Sequence, residues 1–220
     1  MIYCIAVIAV WIAFHIGFRI QVVGRENLIH DRGFIMAPNH RSAIDPVFIV
    51  AVDALYLLTH KMVVFGKKEL FEVNDFVSWF LGKLGCVPVK TGRDDMLTLE
   101  RAVESCKKGR GLLLFPEGTR SKDGKLLKPK SGAFVVAAQA GVDMIPCRII
   151  YDTPDGSMKL FCRVKICYGK PIPAEQLKMD GKKDMAKLRE NKQLLTQAWE
   201  ELYAQNCFPG RAAAPAEKEN

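Results

Sequence analysis

Two short segments place charged or reactive side chains directly after apolar runs. The first motif is Asn39-His40-Arg41-Ser42-Ala43-Ile44-Asp45-Pro46, and the second motif is Phe115-Pro116-Glu117-Gly118-Thr119-Arg120-Ser121. In the first, a turn can bring the Asp45 carboxylate to one imidazole nitrogen of His40 while the other nitrogen faces a substrate. A neutral imidazole held in this way can take a proton from an alcohol near neutral pH. The first motif therefore predicts a general base, His40, oriented by Asp45.

A purely structural role explains the same two residues. His40 would then be a loop histidine, and Asp45 would cap a helix that starts at Pro46. No Gly-x-Ser-x-Gly sequence supplies a nucleophilic serine, and the apolar neighbours of Cys86 disfavour a reactive thiolate. If His40 is a base, the hydroxyl that it activates is expected to belong to the substrate.

The second motif favours anion binding. The guanidinium of Arg120 offers a planar fork of donors for phosphate or carboxylate, and Gly118 permits a tight turn. Glu117 is a candidate to bind a substrate hydroxyl or to orient Arg120. Four lysines follow at Lys122, Lys125, Lys128 and Lys130, and for these a solvated surface loop is the favoured interpretation.

The composition limits the class of partner. With 220 residues, a formal net charge of +8 and a pI near 9.1, the chain favours nucleic acid, a membrane surface or a phosphorylated small molecule. Nucleic acid is disfavoured because the basic residues are not interleaved with aromatic ones. Seven cysteines without a Cys-x-x-Cys pair predict reduced thiols and no metal site. Neither a P-loop nor Gly-x-Gly-x-x-Gly is present, so no nucleotide cofactor is expected.

The N-terminus is expected to contact a membrane. Residues 1–18 are apolar apart from His15, close to the ~20 residues that a spanning helix needs. We predict a membrane-anchoring or interfacial helix over residues 1–23, with a buried core helix as the alternative. Arg19 and Arg25 then place the body of the protein on the cytoplasmic face. Residues 24–206 are expected to form one domain and residues 207–220 a disordered tail.

Strand-length apolar runs alternate with amphipathic segments in that domain. This pattern predicts an α/β fold with a mixed, largely parallel central sheet flanked by helices. The predicted strands are residues 33–37, 62–65, 86–89, 112–115, 144–150 and 158–168, and the predicted helices are 71–84, a segment capped by Asp94, 133–140 and 193–203.

The order and separation of the two motifs closely resemble the glycerolipid acyltransferase family, best known for the 1-acyl-sn-glycerol-3-phosphate acyltransferases. The likeness runs from about residue 23 to residue 173, and it includes Lys67-Lys68-Glu69-Leu70-Phe71 and Val142-Asp143-Met144-Ile145-Pro146. One block departs from the family pattern. Members commonly carry an arginine soon after a Gly-apolar-apolar run, whereas here Lys90 and, later, Arg93 follow that run.

The resemblance implies an enzyme of phospholipid biosynthesis. It would move a fatty acyl group from acyl-CoA or acyl-carrier protein to the sn-2 hydroxyl of lysophosphatidate, giving phosphatidate, with no other cofactor. His40 would be the base and Asp45 its orienter. The candidates to hold the acceptor would be Lys67, Lys68, Lys90, Arg93, Glu117, Gly118, Thr119 and Arg120. Two alternatives stay open: another acceptor, such as glycerol 3-phosphate or a different lysophospholipid, and a non-catalytic membrane lipid-binding protein.

Overall fold

A computed structural model describes residues 8, 11–12, 14–53, 62–67, 72, 75, 78–79, 82, 86–89, 95–121, 125–180 and 184–210. The described strands are β1 (Arg19–Val23), β2 (Phe34–Pro38), β3 (Met62–Lys67), β4 (Cys86–Val89), β5 (Gly111–Leu113), β6 (Asp143–Tyr151) and β7 (Arg163–Tyr168). The described helices are α1 (Asp45–Val52), α2 (Asp95–Lys107), α3 (Gly132–Ala140), α4 (Ala174–Leu177) and α5 (Met185–Asn206), with a 3-10 turn at Arg25–Asn27.

The strands form one sheet in the order β1-β7-β6-β2-β5-β3-β4. All neighbouring strands pair in parallel except β6 and β7, which are antiparallel. The prediction of a mixed, largely parallel sheet flanked by helices is therefore confirmed. β1 and β7 run opposite to the other five strands, so they begin at the edge where β2, β5 and β6 end.

The centre of the sheet is buried on both faces. All five residues of β2 are buried, and successive side chains enter opposite sides of the core. Phe34 and Met36 join the cluster that contains α1, whereas Ile35 and Ala37 join the cluster beneath α2, α3 and α5. A strand covered on both faces needs an unbroken apolar run, which is why β2 shows no polar alternation.

Both motifs emerge at one edge of this sheet. β2 leads into the first motif and β5 into the second, and these two strands are parallel neighbours in register from Phe34 opposite Gly111. The loop after β6 and the starts of β7 and β1 lie at the same edge, which we call the carboxyl edge. In open α/β sheets this edge is where ligands bind.

Three predicted element boundaries are wrong. Residues 19–23 are not helical but form β1, because their backbone pairs with β7 from Arg19 opposite Arg163. The strand predicted from residue 158 begins only at Arg163, since Phe161 has a φ of 63° and turns the chain out of extended geometry. The last helix begins at residue 185 rather than 193, where Asp184 accepts a hydrogen bond from the Lys187 N–H.

Other expectations fall wholly or partly outside the described ranges. The helix over residues 71–84 is described at five positions only, of which 75, 78, 79 and 82 are helical. Residues 207–210 of the expected disordered tail are ordered, because Phe208 is buried against Ile150 and Cys167, and residues 211–220 are not described. Within the described part of the chain, no helix has the length and hydropathy required to span a membrane. The six described cysteines are free thiols, as predicted.

Candidate active site

Asp45 forms the centre of the first motif. Its side chain is fully buried, and its Oδ2 accepts hydrogen bonds from His40 Nδ1 at 2.9 Å, the Arg41 N–H at 2.6 Å and the Ser42 N–H at 2.7 Å. Helix α1 starts at Asp45, with Ile44 as its N-cap and no side-chain capping bond. The carboxylate therefore points back into the loop that carries His40, and it does not cap the helix.

His40 lies beside Asp45 and is partly exposed to solvent. Its ring stacks at a tilt on Phe115, with 4.2 Å between the ring centroids, and its side chain is 18% exposed. Because Nδ1 faces the buried carboxylate, Nε2 is the nitrogen that can meet a substrate. This is the base-and-orienter arrangement that the first motif predicts.

Asn39 fixes the start of the same loop. Its amide donates to the Ile149 carbonyl at 3.3 Å and its Oδ1 accepts from the Ile149 N–H at 2.7 Å, while the Asn39 N–H bonds to Cys147. These contacts extend the pairing of β2 with β6 through a side chain. The backbone that carries His40 is thereby fastened to the central sheet.

Tyr151 is a site residue that sequence reasoning missed. Its hydroxyl donates a short hydrogen bond to Oδ1 of Asp45, the oxygen that His40 does not use. Burial, and after it the neighbouring Asp45 carboxylate, raises the pKa of Tyr151 well above its ordinary value, so the phenol remains a donor. The two residues are 106 positions apart, and no local pattern could have linked them.

Glu117 connects the two motifs. Its Oε1 accepts the His40 N–H at 2.8 Å, its Oε2 accepts the Leu127 N–H at 3.1 Å, and its residue is 2% exposed. A second bond joins the Ser121 N–H to the His40 carbonyl at 2.9 Å. These contacts fix the His40 backbone, and none of them joins Glu117 to Arg120.

The turn after Glu117 presents cations to solvent. Gly118 has a φ of 67°, and a Cβ at this position would lie 2.8 to 2.9 Å from Cδ, Cε and Nζ of Lys130. Lys130 therefore lies over Gly118, where its N–H also bonds to Pro116. Thr119 and Arg120 are exposed beside it. Lys130 was assigned to a solvated loop on sequence grounds, and only the fold brings its ammonium to this turn.

A buried cation lies near Glu117. Burial, and then the charge of Arg41, lowers the pKa of Arg148 to about 10, whereas Glu117 acts in the opposite direction. The Arg148 guanidinium stacks on Tyr203, and among the described residues its Nε and Nη1 have no hydrogen-bond partner. Burial also raises the pKa of the Glu117 carboxyl group, while the N–H groups of His40 and Leu127 and the charge of Arg148 act to lower it.

The remaining predicted ligands are only partly described. Lys67 ends β3 at the carboxyl edge, and Lys68, Lys90 and Arg93 lie outside the described residues. Burial raises the pKa of Cys86 to about 11, which agrees with its dismissal as a nucleophile. The described part of the chain contains no His, Cys, Asp and Glu cluster suited to a metal ion.

Comparison with known proteins identifies the family. The acyltransferase family model matches residues 19–150, which include both motifs and the strands that carry them. The chain belongs to the acyltransferase family. Its resemblance to that family, inferred above from two motifs, is confirmed.

Relatives of this acyltransferase-family chain include plant and bacterial proteins. It is 34% identical over 136 residues to the chloroplast 1-acyl-sn-glycerol-3-phosphate acyltransferase LPAT1 of Arabidopsis thaliana, covering 60% of this chain and 36% of the plant protein. It is 30% identical over 155 residues to the 1-acyl-sn-glycerol-3-phosphate acyltransferase of Bacillus subtilis, covering 70% and 73%. The chain thus matches little more than a third of the plant relative's length.

A solved structure has the same fold. The 1-acyl-sn-glycerophosphate acyltransferase PlsC of Thermotoga maritima superposes with a TM-score of 0.62 at 26% identity, covering 84% of this chain and 73% of the other. The fold described above has therefore already been seen in an acyltransferase.

Proposed function

We propose that this protein transfers a fatty acyl group from an acyl thioester to the sn-2 hydroxyl of lysophosphatidate, forming phosphatidate. The observation that carries the proposal is the 2.9 Å contact between His40 Nδ1 and a fully buried Asp45, which leaves Nε2 of a partly exposed imidazole for the substrate. The names of the plant, Bacillus and Thermotoga relatives support this acceptor.

In the proposed reaction, His40 Nε2 accepts the proton of the acceptor hydroxyl as its oxygen attacks the thioester carbonyl carbon. The carbon–sulfur bond then breaks, the acyl group stays on the acceptor oxygen, and the thiolate takes the proton from the imidazolium. Asp45 stabilises the positive charge on the ring between these steps. A protein nucleophile is not part of this scheme, which agrees with the raised pKa of the Cys86 thiol.

The acceptor phosphate is proposed to bind the turn around Gly118. Arg120 and Lys130 provide charges of the required sign there, and Arg120 can form two parallel hydrogen bonds to one phosphate. The acyl donor is proposed to be acyl-CoA or acyl-carrier protein as a co-substrate, without a further cofactor.

The membrane is proposed as the source of the acceptor, with the protein on its cytoplasmic face. Both lysophosphatidate and phosphatidate are lipids, and the chain carries a formal charge of +8 that favours an anionic surface. Ile12 and Ile16 near the N-terminus are exposed apolar residues that suit an interfacial contact.

The test of the base is an acyl-transfer assay in detergent micelles with oleoyl-CoA and lysophosphatidate. We expect His40→Ala to lower kcat by about 10³-fold or more, since base loss combines with loss of orientation. His30→Ala, an exposed histidine at the other edge of the sheet, is the matched control and should leave kcat unchanged. Unaltered turnover in His40→Ala would refute the mechanism.

The acceptor is tested separately by competition. Lysophosphatidate, glycerol 3-phosphate and lysophosphatidylcholine compete in one assay, and the product distribution gives the ratio of their kcat/KM values. Arg120→Ala should chiefly raise the KM for lysophosphatidate, whereas Arg101→Ala, on the exposed face of α2, should not. Preference for lysophosphatidylcholine would overturn the proposed acceptor without removing the acyl transfer.

A further inference from the structure

The loop between β6 and β7, residues 152–162, is fastened to the candidate site. Nη2 of Arg41, the residue after His40, donates to the carbonyls of Asp155 at 3.0 Å and Gly156 at 2.7 Å. Within the loop, the Thr153 hydroxyl donates to the Ser157 carbonyl at 2.7 Å. These hydrogen bonds hold the loop at the carboxyl edge, next to the proposed base.

The tip of this loop exposes two large apolar side chains. Leu160 is 67% exposed and Phe161 is 69% exposed, whereas Met158 and Cys162 on either side pack against the core. Phe161 has a φ of 63°, a left-handed conformation that is unfavourable for a bulky residue. The ring gains little burial within the protein to offset this cost.

The same tip continues onto the N-terminal segment. The Phe161 N–H donates to the Gly17 carbonyl at 3.0 Å, and Ile16, the neighbour of Gly17, is 76% exposed. Three exposed apolar side chains from two distant parts of the chain therefore lie together where β7 and β1 begin.

Exposed apolar residues are also found on the other flank of the site. Met96 and Leu97, at 53% and 50% exposure, lie at the start of α2. Helix α2 ends beside Gly33, at the amino end of β2, so its start, about 20 Å away, lies towards the carboxyl edge. Because β2 is in the middle of the sheet, these residues and the tip at Phe161 lie on opposite sides of the site. A planar surface can contact both groups of apolar side chains simultaneously.

The charge at this edge has the sign that anionic lipid requires. Arg120, Lys128 and Lys130 are exposed in the loop that follows the second motif. By contrast, Met185 is an exposed apolar residue of the opposite edge, since it follows α4, whose Ala174 N–H bonds to Asp143 at the amino end of β6.

We propose that Leu160 and Phe161 insert into the interfacial region of an anionic bilayer and, together with Ile16, place the carboxyl edge on the membrane. This proposal rests on the proposed function, because a bilayer-resident acceptor must reach His40 from that side. It assigns membrane contact to an internal loop of the catalytic domain as well as to the N-terminus.

A tryptophan probe tests the contact directly. Phe161→Trp in the whole 220-residue chain is mixed with vesicles of phosphatidylcholine containing phosphatidylglycerol, with and without brominated acyl chains. Bromolipid should quench this variant more than the wild type, whose own tryptophans provide the background. Met185→Trp is the matched control and should show only that background. Equal quenching of Phe161→Trp and the wild type would overturn the insertion.

A second variant measures the consequence for activity. Leu160→Ser/Phe161→Asn keeps a residue that tolerates the left-handed region and removes both apolar groups. Its vesicle partition coefficient should fall about tenfold or more, because each of the two substitutions removes a transfer free energy equivalent to that of several methylene groups. Activity on vesicle-borne lysophosphatidate should fall with the partition coefficient. Activity in detergent micelles should equal that of the wild type.

The two assays separate the two proposals. Absence of acyl transfer in detergent by the wild type would refute the function, while the quenching result still decides the insertion. Vesicle partition by Leu160→Ser/Phe161→Asn equal to that of Met185→Ser would overturn the insertion while leaving the function intact. Equal partition of the wild type onto pure phosphatidylcholine would overturn the choice of an anionic surface.

Discussion

Glu117→Gln separates a positioning role from a substrate-binding role. Both carboxylate oxygens accept backbone N–H groups, from His40 at 2.8 Å and from Leu127 at 3.1 Å. A glutamine has one acceptor oxygen, so its NH2 group must face one of these two donors. The variant loses a hydrogen bond to a charged group and leaves a buried N–H unsatisfied, a cost of roughly 2 to 4 kcal/mol in the free energy of unfolding.

The expected effect on kcat follows from a shift of the loop that carries His40. When the His40 N–H loses its partner, the imidazole shifts relative to the acceptor hydroxyl, and a displacement of about 1 Å can cost about 10²-fold in rate. We therefore expect kcat to fall by about that factor while the KM for lysophosphatidate changes less than about threefold. A residue that held the acceptor equally in ground and transition states would instead raise KM at unchanged kcat.

Urea unfolding and steady-state kinetics in detergent micelles measure the two effects on the same preparation. Glu104→Gln is the matched control, because Glu104 is an exposed glutamate of α2 paired with Lys108, and it should leave kcat and KM unchanged. A Glu117→Gln enzyme with normal unfolding, normal kcat and a tenfold higher acceptor KM would refute the positioning role and restore the substrate contact expected from sequence.

Three further predictions concern the same edge and the helix behind it. Asp45→Asn should fold, because its NH2 group can face the Tyr151 hydroxyl while its oxygen serves the loop donors, yet kcat should fall about 10² to 10⁴-fold; normal turnover would show that the negative charge is dispensable. Gly118→Ala should lose roughly 1 to 2 kcal/mol of stability from its left-handed backbone and raise the acceptor KM by displacing Lys130, which urea unfolding and kinetics would detect. Burial raises the pKa of Asp53 to about 6, so the folded state binds this proton more tightly than the unfolded chain does. Relative to Asp53→Asn, wild-type stability should therefore fall by roughly 3 kcal/mol as the pH rises from about 3 to about 7, and parallel unfolding midpoints for the two proteins across that range would contradict the assignment.

Local sequence patterns were sufficient to predict most strands of the sheet. β2, β3, β4 and β6 coincide with apolar runs that predict strands, because buried parallel strands need continuous apolar sequence. The errors arose where pairing partners set the boundary. The sequence of β1 predicts a continuation of an apolar helix, but its backbone pairs with β7. That strand lies about 140 residues later in the chain.

The site was predictable only in part. His40 and Asp45 are five residues apart, so their pairing is a local event that the sequence can report. Tyr151 and Lys130 belong to the same site through contacts that cross the fold. Glu117 was found by its motif, but only the fold shows that both of its oxygens accept backbone N–H groups.

By itself, the sequence determined the α/β class, the pair that can act as base and orienter, the acyltransferase family and the basic character of the chain. These properties depend on composition, on residue types at fixed spacings and on the order of the two motifs, all of which can be determined without knowledge of the fold. The tertiary structure decided which groups meet: the Tyr151 hydroxyl on Asp45, Glu117 beneath His40, and the exposed tip at Phe161 beside the N-terminal segment. Each of these contacts joins residues far apart in the chain, so each depends on strand order and register, which no single segment encodes.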